Sequence, residues 1–248
     1  MKIVFLGVGE AFDENLPNNS HIVLSKTKLL LDCGYSIPRQ LWQYNSNPNL
    51  LDAIYISHPH ADHYFGLPSY LLRLNQDGRK KPLAIICHSQ LKDRIVELFE
   101  YAYSGAAAKY NYKLNFLEAK IGKNIKFNEL QMDFAPTIHQ VKNFAIRISD
   151  GEKTLCYSGD GMFVDSTEKM YKNSDLVIHE SFTFDEKAVG HAIVKDLVPM
   201  AHKNKIKCLA LTHIRRDVRR NQMDKIRDYI SKKKSKVIVA EPLQEYIL

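Results

Sequence analysis

The stretch His58-Pro59-His60-Ala61-Asp62-His63 decides how the rest of this sequence is interpreted. Four potential metal ligands within six residues are unusual both for a protein core and for an ordinary surface loop. A tight loop after a strand can direct His58 and His60 at one metal ion. Asp62 and His63 are then placed for a neighbouring ion. Imidazole and carboxylate ligands suit zinc, with manganese or iron as alternatives, whereas the competing interpretation is a polar loop that happens to be rich in histidine.

Short apolar runs that end in a polar residue recur along the chain, and runs of this length are typical of strands buried on both faces. The polar residues that end or follow these runs are Asp32, His58, Asp160, His179, Glu180 and His213. Helical periodicity alternates with the runs after Ser89, over residues 192–203 and after Asn221. This alternation predicts an α/β fold in which helices cover a sheet-rich interior.

Length and composition restrict the class of protein. The chain has 248 residues, of which 45% are hydrophobic and 25% charged, so disordered and fibrous proteins are excluded. Its apolar runs are shorter than the ~18 residues of a membrane span, and the N-terminal run stops at Gly7, too early for a signal peptide. We expect a single domain over residues 1–248, located in the cytoplasm and without membrane contact.

The four cysteines support a reducing compartment. They are Cys33, Cys87, Cys156 and Cys208. None belongs to a CxxC pair, and each lies in or beside an apolar stretch. Burial as small hydrophobic side chains is therefore expected, rather than disulfide bonds or a thiolate zinc site.

The net charge of +7 permits an anionic partner such as nucleic acid. Four arginines follow closely after His213, at positions Arg215, Arg216, Arg219 and Arg220. Guanidinium groups close to a metal site can bind phosphate oxygens in bidentate fashion. The alternative is that these arginines lie in a solvated loop that precedes a helix capped by Asn221.

The HxHxDH pattern of residues 58–63 resembles the second motif of the metallo-β-lactamase superfamily. Asp32, in Leu31-Asp32-Cys33-Gly34, resembles the aspartate of its first motif. The resemblance implies a four-layer αββα sandwich of two similar halves, which we expect to meet near residue 125. It also implies that Asp32 holds the metal-binding loop through hydrogen bonds without touching metal.

The same resemblance implies three further ligands. His139 would complete the first site, His213 would complete the second, and Asp160 would bridge the two ions. The full set of expected ligands is His58, His60, Asp62, His63, His139, Asp160 and His213. Two bound Zn²⁺ ions can share a hydroxide at neutral pH, and Asp62 is expected to accept a proton from the attacking water. Taken singly, each of the three added residues could instead cap a helix or pack in the core.

Other stretches resemble the ribonuclease Z-like branch of the superfamily, over nearly the whole chain. They include Phe5-Leu6-Gly7-Val8-Gly9, His179-Glu180-Ser181 and Gly190-His191-Ala192. In ribonuclease Z, the histidine that matches His191 donates a proton to the leaving 3′ oxygen, and the glutamate that matches Glu180 orients it. Phosphodiester cleavage expels an alkoxide, which a held imidazolium can protonate. The alternative is that His191 only caps a helix at Ala192.

One departure concerns the substrate. The tRNA-processing members carry a long Gly/Pro-rich arm between the residues that match His139 and Asp160. Here 20 residues intervene, and their pattern indicates two strands joined at Asp150-Gly151. A ribonuclease Z-like phosphodiesterase that cleaves RNA is the expected function, with tRNA processing in question. The alternatives are a small-molecule hydrolase (a cyclic-nucleotide or other phosphodiesterase, or less readily a lactonase) and an inactive binding protein, and a homodimer is compatible with each.

Overall fold

The computed structural model describes residues 1–106 and 109–248. Its helices are α1 (Ile37–Tyr44), α2 (Ala61–Tyr64), α3 (Leu67–Gln76), α4 (Ser89–Ala102), α5 (Asp165–Tyr171), α6 (Val194–Lys203) and α7 (Arg216–Ser231). Its strands are β1 (Lys2–Gly7), β2 (Ser20–Leu24), β3 (Lys28–Leu31), β4 (Ala53–Tyr55), β5 (Leu83–Cys87), β6 (Leu114–Glu118), β7 (Ile125–Phe127), β8 (Leu130–Pro136), β9 (Phe144–Ser149), β10 (Thr154–Tyr157), β11 (Leu176–Glu180), β12 (Cys208–Thr212), β13 (Lys236–Val239) and β14 (Gln244–Ile247). Among the described helices, none has the length and hydrophobicity needed to cross a bilayer.

Within this part of the chain the strands form two sheets of seven strands each, ordered β14-β1-β2-β3-β4-β5-β6 and β13-β12-β11-β10-β9-β8-β7. Pairing from β14 to β3 is antiparallel and pairing from β3 to β6 is parallel. The second sheet repeats this pattern, antiparallel from β7 to β10 and parallel from β10 to β13. The two similar halves predicted from the sequence are therefore confirmed.

The two halves are not divided by a single boundary near residue 125. The chain does pass from the first sheet to the second between β6 and β7, on either side of that position. However, β14 returns at the end of the chain and pairs with β1, with Lys2 opposite Ile247. This crossover covers the edge of β1 that would otherwise expose unpaired backbone groups.

Three apolar clusters fill the interfaces between the layers. One lies between the two sheets and includes Phe5, Tyr55, Phe134 and Ile178. A second packs the first sheet against α1, α3 and α4, and a third packs the second sheet against α6 and α7. The layers follow the order helix, sheet, sheet, helix, which confirms the four-layer αββα architecture. Strands β5, β11 and β12 are buried along their whole length, as their apolar sequences indicate.

The parallel strands place the polar residues of the site at one edge. Asp32 follows β3, and His58 lies three residues beyond the end of β4 in the neighbouring parallel strand. Asp160 and His213 follow β10 and β12 in the second sheet. Asp32 and His213 adopt positive φ angles of 59° and 54°, which are uncommon for residues other than glycine. The chain therefore turns sharply as it leaves these strands.

Helix α7 begins earlier than the sequence suggested. The predicted start was a cap at Asn221, whereas the helix begins at Arg216. Asp217 in its first turn interacts favourably with the helix dipole, and Val218 is buried against the sheet. The arginines after His213 thus lie mostly on a packed helix and not in a solvated loop.

Candidate metal centre

Two groups of nitrogen and oxygen atoms converge at the edge where the parallel strands end. The first group comprises His58, His60, His139 and Asp160, and the second comprises Asp62, His63, His213 and Asp160. Within each group the potential ligand atoms all lie within 4.8 Å of one another. The structure therefore brings together all of the ligands expected from the sequence, and Asp160 is common to both groups.

The spacing of these atoms fits the ligands of a tetrahedral divalent metal ion. Two ligands bound at ~2.1 Å to a tetrahedral ion are separated by about 3.4 Å. In the first group, Nδ1 of His60 lies 3.1 Å from Nε2 of His58 and 3.1 Å from Nε2 of His139. In the second group, Nε2 of His213 lies 3.4 Å from Oδ2 of Asp160. Each group therefore has the dimensions of a site for one ion.

Asp160 reaches both groups through its carboxylate, whose Oδ2 lies near His58 of the first group and His213 of the second. Its Oδ2 lies 3.9 Å from Nε2 of His58, and its Oδ1 lies 3.4 Å from Nε2 of His63. Within the described residues, Oδ1 of Asp160 and Nε2 of His63 are buried and have no hydrogen-bond partner. Buried polar atoms are rarely left unpaired. Asp160 and His63 therefore fit a metal site, because a bound ion would be the missing partner of both atoms.

The electrostatics of the centre agree with a cation site. Burial lowers the pKa of His58, which keeps its imidazole neutral, the form that binds metal. Burial acts in the same direction on His63 and His213, but nearby carboxylates outweigh it and raise both pKa values, that of His213 to about 9. Asp62 and Asp160 raise the pKa of both histidines, and Asp32 also raises that of His63. They supply the negative charge that divalent ions would compensate.

Asp32 holds two of the candidate ligands in orientation. Its Oδ2 accepts a hydrogen bond from Nδ1 of His63 at 2.7 Å, which directs Nε2 of His63 into the centre. The same carboxylate accepts hydrogen bonds from the backbone and hydroxyl of Ser57 and from the hydroxyl of Tyr157, each at 2.7 Å. The Ser57 hydroxyl in turn accepts from Nδ1 of His58 at 2.9 Å. Such partners fix the tautomer of metal-binding histidines.

The loop that carries Asp160 is fixed by Asn143. The Nδ2 atom of Asn143 donates to the backbone carbonyls of Ser158 and Asp160, at 2.9 and 2.6 Å. Between them, Gly159 has a φ of 60°, and a Cβ there would lie 2.3 Å from the side-chain oxygen of Asn143. Glycine is therefore required for this turn, which sets the position of the shared carboxylate.

His139 and His191 are connected through one backbone carbonyl. Nδ1 of His139 donates to the carbonyl of Gly190 at 2.9 Å, so its Nε2 is free to face the first group. Gly190 directly precedes His191, whose ring centroid lies 5.1 Å from that of His139. The expected proton donor is thus held beside the metal centre by the same turn that orients a ligand.

Glu180 acts on His191 mainly through the backbone. Its carboxylate is fully buried and accepts hydrogen bonds from the amides of Gly161, Phe182 and Ala192, at 3.0, 3.0 and 2.8 Å. Nδ1 of His191 lies 3.3 Å from Oε1 of Glu180, but the contact lacks hydrogen-bond geometry. The helix-capping alternative for His191 is wrong, because Ile193 occupies the N-cap of α6.

Several residues of the site carry no signal in the sequence. Phe182 stacks on His191 with a centroid distance of 4.2 Å and an interplanar angle of 19°. Ser57, Tyr157 and Asn143 serve the centre through hydrogen bonds that depend on tertiary packing. Hydroxyl and amide side chains are common in all loops, so these residue types alone do not identify such roles. The buried ring of His179 packs edge-on against Phe163 and Tyr171.

The metal centre opens into a cavity of about 710 Å³. Its wall includes Phe12, Tyr35, Gln140, Phe182 and Arg216 beside the metal-ligating residues. Three of the four arginines line this cavity, but each is engaged by carboxylates. The partners are Asp217 and Glu186 for Arg215, Glu10 for Arg216, and Glu14 for Arg220. The cluster is therefore largely neutralised.

Comparison with known proteins agrees with this architecture. A family model described as anti-Pycsar protein Apyc1 matches residues 1–243. The ribonuclease Z of Methanothermobacter thermautotrophicus is 24% identical over 278 aligned positions, which span 90% of this chain and 89% of that protein. The metallo-β-lactamase fold protein YhfI of Bacillus subtilis superposes with a TM-score of 0.82 at 25% identity, covering 99% of this chain and 98% of its own.

A further solved structure, the short form of human tRNase Z, shares the fold with a TM-score of 0.80 at 21% identity, covering 100% of this chain and 99% of its own. The first and second metal-binding groups occupy the strand ends of the fold that these proteins share. The chain belongs to the family of the anti-Pycsar protein Apyc1, and it is a metal-dependent hydrolase of the ribonuclease Z-like branch of the metallo-β-lactamase superfamily.

Proposed function

We propose that this protein is a binuclear zinc phosphodiesterase. The observation that carries the proposal is the shared carboxylate of Asp160 between two ligand groups, with His191 beside them. One zinc would be held by His58, His60, His139 and Asp160, and the other by Asp62, His63, His213 and Asp160. When bound, two such ions lower the pKa of water and neutralise the phosphate oxygens of a diester.

The protein residues provide the proton transfers. Oδ2 of Asp62 lies 3.1 Å from His63 and 3.4 Å from His213, so Oδ1 is the oxygen placed to accept a proton from the attacking water. His191 is 14% exposed at the cavity wall and donates a proton to the alkoxide that leaves. Stacking on Phe182 and the backbone held by Glu180 keep its ring in one orientation. In this proposal Asp62 serves as the base that activates water, and His191 serves as the acid that protonates the leaving oxygen.

The scale of the cavity favours a nucleotide-sized phosphodiester, such as a cyclic nucleotide. Sites for small ligands have volumes of roughly 300–1,000 Å³, a range that includes this one. The arginines expected to track a polyanion are paired with carboxylates. Between His139 and Asp160 the chain forms the short hairpin β9–β10, turning at residues 150–153, where tRNA-processing members carry an arm.

Cleavage of RNA near a 3′ end is the second candidate. It is supported by the curated relatives named ribonuclease Z, one of which matches the full length of this chain at 25% identity. The pair of His191 and Glu180 suits the alkoxide that both RNA and a cyclic nucleotide expel, so it supports either phosphodiester. A lactone has less need of such a proton donor.

A panel of substrates tests the proposal. Zinc-loaded protein is incubated with bis(p-nitrophenyl) phosphate, nucleoside 3′,5′-cyclic phosphates, RNAs with defined 3′ ends and a lactone, with chelator-treated protein as control. We expect zinc-dependent hydrolysis of the diesters, fastest for the cyclic nucleotides. Hydrolysis of the lactone alone would overturn the phosphodiesterase proposal, and faster cleavage of RNA would put the second candidate first.

Location in the cytoplasm and assembly as a homodimer remain predictions. The location is supported by the four cysteines, which are buried and form no disulfide within the described residues. A fluorescent fusion and light scattering of the purified protein measure the two properties directly.

A further inference from the structure

Aromatic rings and guanidinium groups line part of the active-site cavity and form a wall of it. The wall starts at His191, on which Phe182 stacks at 4.2 Å. The guanidinium of Arg215 lies 5.8 Å from the centre of the Phe182 ring. The guanidinium of the next residue, Arg216, lies 5.8 Å from the centre of the Phe12 ring. Because Arg215 and Arg216 are neighbours in the chain, the two ring–guanidinium pairs form one wall that runs from His191 to Phe12.

The outer end of this wall is held rigidly. The carboxylate of Glu10 has an exposed fraction of only 3% and accepts a hydrogen bond from Arg216 at 2.6 Å. Its second oxygen accepts from the backbone amide of Phe12 at 3.1 Å. The hydroxyl of Tyr35 donates to the carbonyl of Ala11, between these two residues. One buried carboxylate thus fixes both Phe12 and the guanidinium beside it.

Phe12 is nevertheless 74% exposed as a residue. An aromatic ring that stays exposed gains no free energy from burial within the protein. A ligand that stacks on such a ring in a cavity would bury it. Planar heterocycles stack on such rings, and a neighbouring guanidinium adds a cation–π contribution. A phosphate bound at the metal ions would lie at the inner end of the same wall. A base attached to that phosphate would project toward the outer end.

We propose that Phe12, backed by Arg216, is the stacking surface for the heterocyclic base of a nucleotide substrate. The inference rests on the proposed phosphodiesterase function and adds to it a residue that recognises the base of the substrate. Phosphate recognition is carried by the metal centre, and base recognition is carried by a separate surface on the β1–β2 loop. Loss of the Phe12 ring should consequently weaken binding of nucleotides without altering the chemical step.

Kinetics of Phe12→Ala protein test this division. The substrates are a nucleoside 3′,5′-cyclic phosphate and methyl p-nitrophenyl phosphate, which has no base. We expect KM for the cyclic nucleotide to rise about 5- to 100-fold, the range that loss of base–aromatic stacking gives, with kcat nearly unchanged. The base-free diester should be hydrolysed as by the unmodified protein. Phe12→Trp should retain nucleotide binding, and Tyr101→Ala, which removes an aromatic ring that is 89% exposed elsewhere, is the matched control.

Equal losses on both substrates, or an unchanged KM for the cyclic nucleotide, would overturn the base-stacking role. A binding measurement separates this failure from failure of the proposed function. Calorimetry of zinc-loaded protein compares adenosine 5′-monophosphate with ribose 5-phosphate, which lacks the base. Suppose that no diester is hydrolysed, but the unmodified protein binds the nucleotide more tightly than the sugar phosphate and the Phe12→Ala protein does not. The base-stacking role is then supported, and the phosphodiesterase function is wrong. If Phe12→Ala instead dissociates a dimer and leaves nucleotide affinity unchanged, Phe12 is a subunit contact and the proposal is wrong.

Discussion

Nδ1 of His63 donates a hydrogen bond to Oδ2 of Asp32 at 2.7 Å, and both side chains are fully buried. This contact couples the end of strand β3 to the metal-binding loop that follows β4. It also leaves Nε2 of His63 directed at Asp160, 3.4 Å away. Asp32 therefore contributes to the second metal site without offering it a ligand atom.

Asp32→Asn should reduce zinc affinity about 10- to 100-fold, the usual effect of removing such a supporting carboxylate. The amide cannot accept from His63, Ser57 and Tyr157 together, so the ring of His63 loses its fixed tautomer. Competition with a zinc chelator measures the change. Asp133→Asn, an exposed aspartate on β8, is the control. Equal affinities for the two variants would show that the His63 ring is held by packing alone.

Asp62→Asn should lose far more activity than metal. The asparagine keeps an oxygen for the ion but cannot accept a proton from water, so kcat should fall by about 10²–10⁴-fold. Metal content and turnover have to be measured on the same preparation. Activity that declines only in proportion to zinc content would assign Asp62 a ligand role and nothing more.

His191→Ala should act selectively on substrates with poor leaving groups. Diesters that expel an alkoxide should be hydrolysed about 10²–10⁴-fold more slowly, because the departing oxygen is no longer protonated. Nitrophenolate leaves without a proton, so activated diesters should be affected much less. Glu180→Gln should show a weaker form of this selectivity, since Glu180 holds the His191 loop through the amide of Ala192. The exposed His202→Ala is the control, and equal losses on both substrate classes would make His191 a binding residue.

Salt dependence distinguishes the two candidate substrates. Because Arg215, Arg216 and Arg220 are paired with carboxylates, KM for a cyclic nucleotide should change little between low and moderate ionic strength. A single-stranded RNA substrate would give a slope of about −0.7 in log affinity against log salt for each phosphate contact. A steep slope that flattens in Arg220→Ala protein, but not in Lys232→Ala protein, would favour RNA.

The metal centre could be predicted because its signal is local. Residues 58–63 place four ligands in one short segment, and Asp160 and His213 follow apolar strands that each pair in parallel with β11. His139 follows the antiparallel strand β8, and only the family resemblance pointed to it. Parallel strands deliver their carboxyl ends to one edge, so the convergence of Asp160 and His213 with that segment follows from the strand pattern. The hairpin at Asp150-Gly151 was predictable for a similar reason, since turn residues lie between two short β runs.

Other features depend on contacts between distant parts of the chain. The pairing of β14 with β1 and the hydrogen bond from Arg216 to Glu10 join residues separated by most of the sequence. The start of α7 was misplaced because Asn221 is a good capping residue, while burial of Val218 stabilises the earlier turn. Stacking of Phe182 on His191 likewise has no periodic or motif signal, since loop geometry brings the rings together.

Metal stoichiometry tests the central claim most directly. Elemental analysis of purified, zinc-loaded protein should give two ions per chain, and Asp160→Ala should retain no more than one, because both ligand groups lose the carboxylate they share. Asp165→Ala, an exposed aspartate on α5, should retain two and is the matched control. One ion per chain in the unmodified protein, with the same content in Asp160→Ala, would contradict a binuclear centre bridged by Asp160.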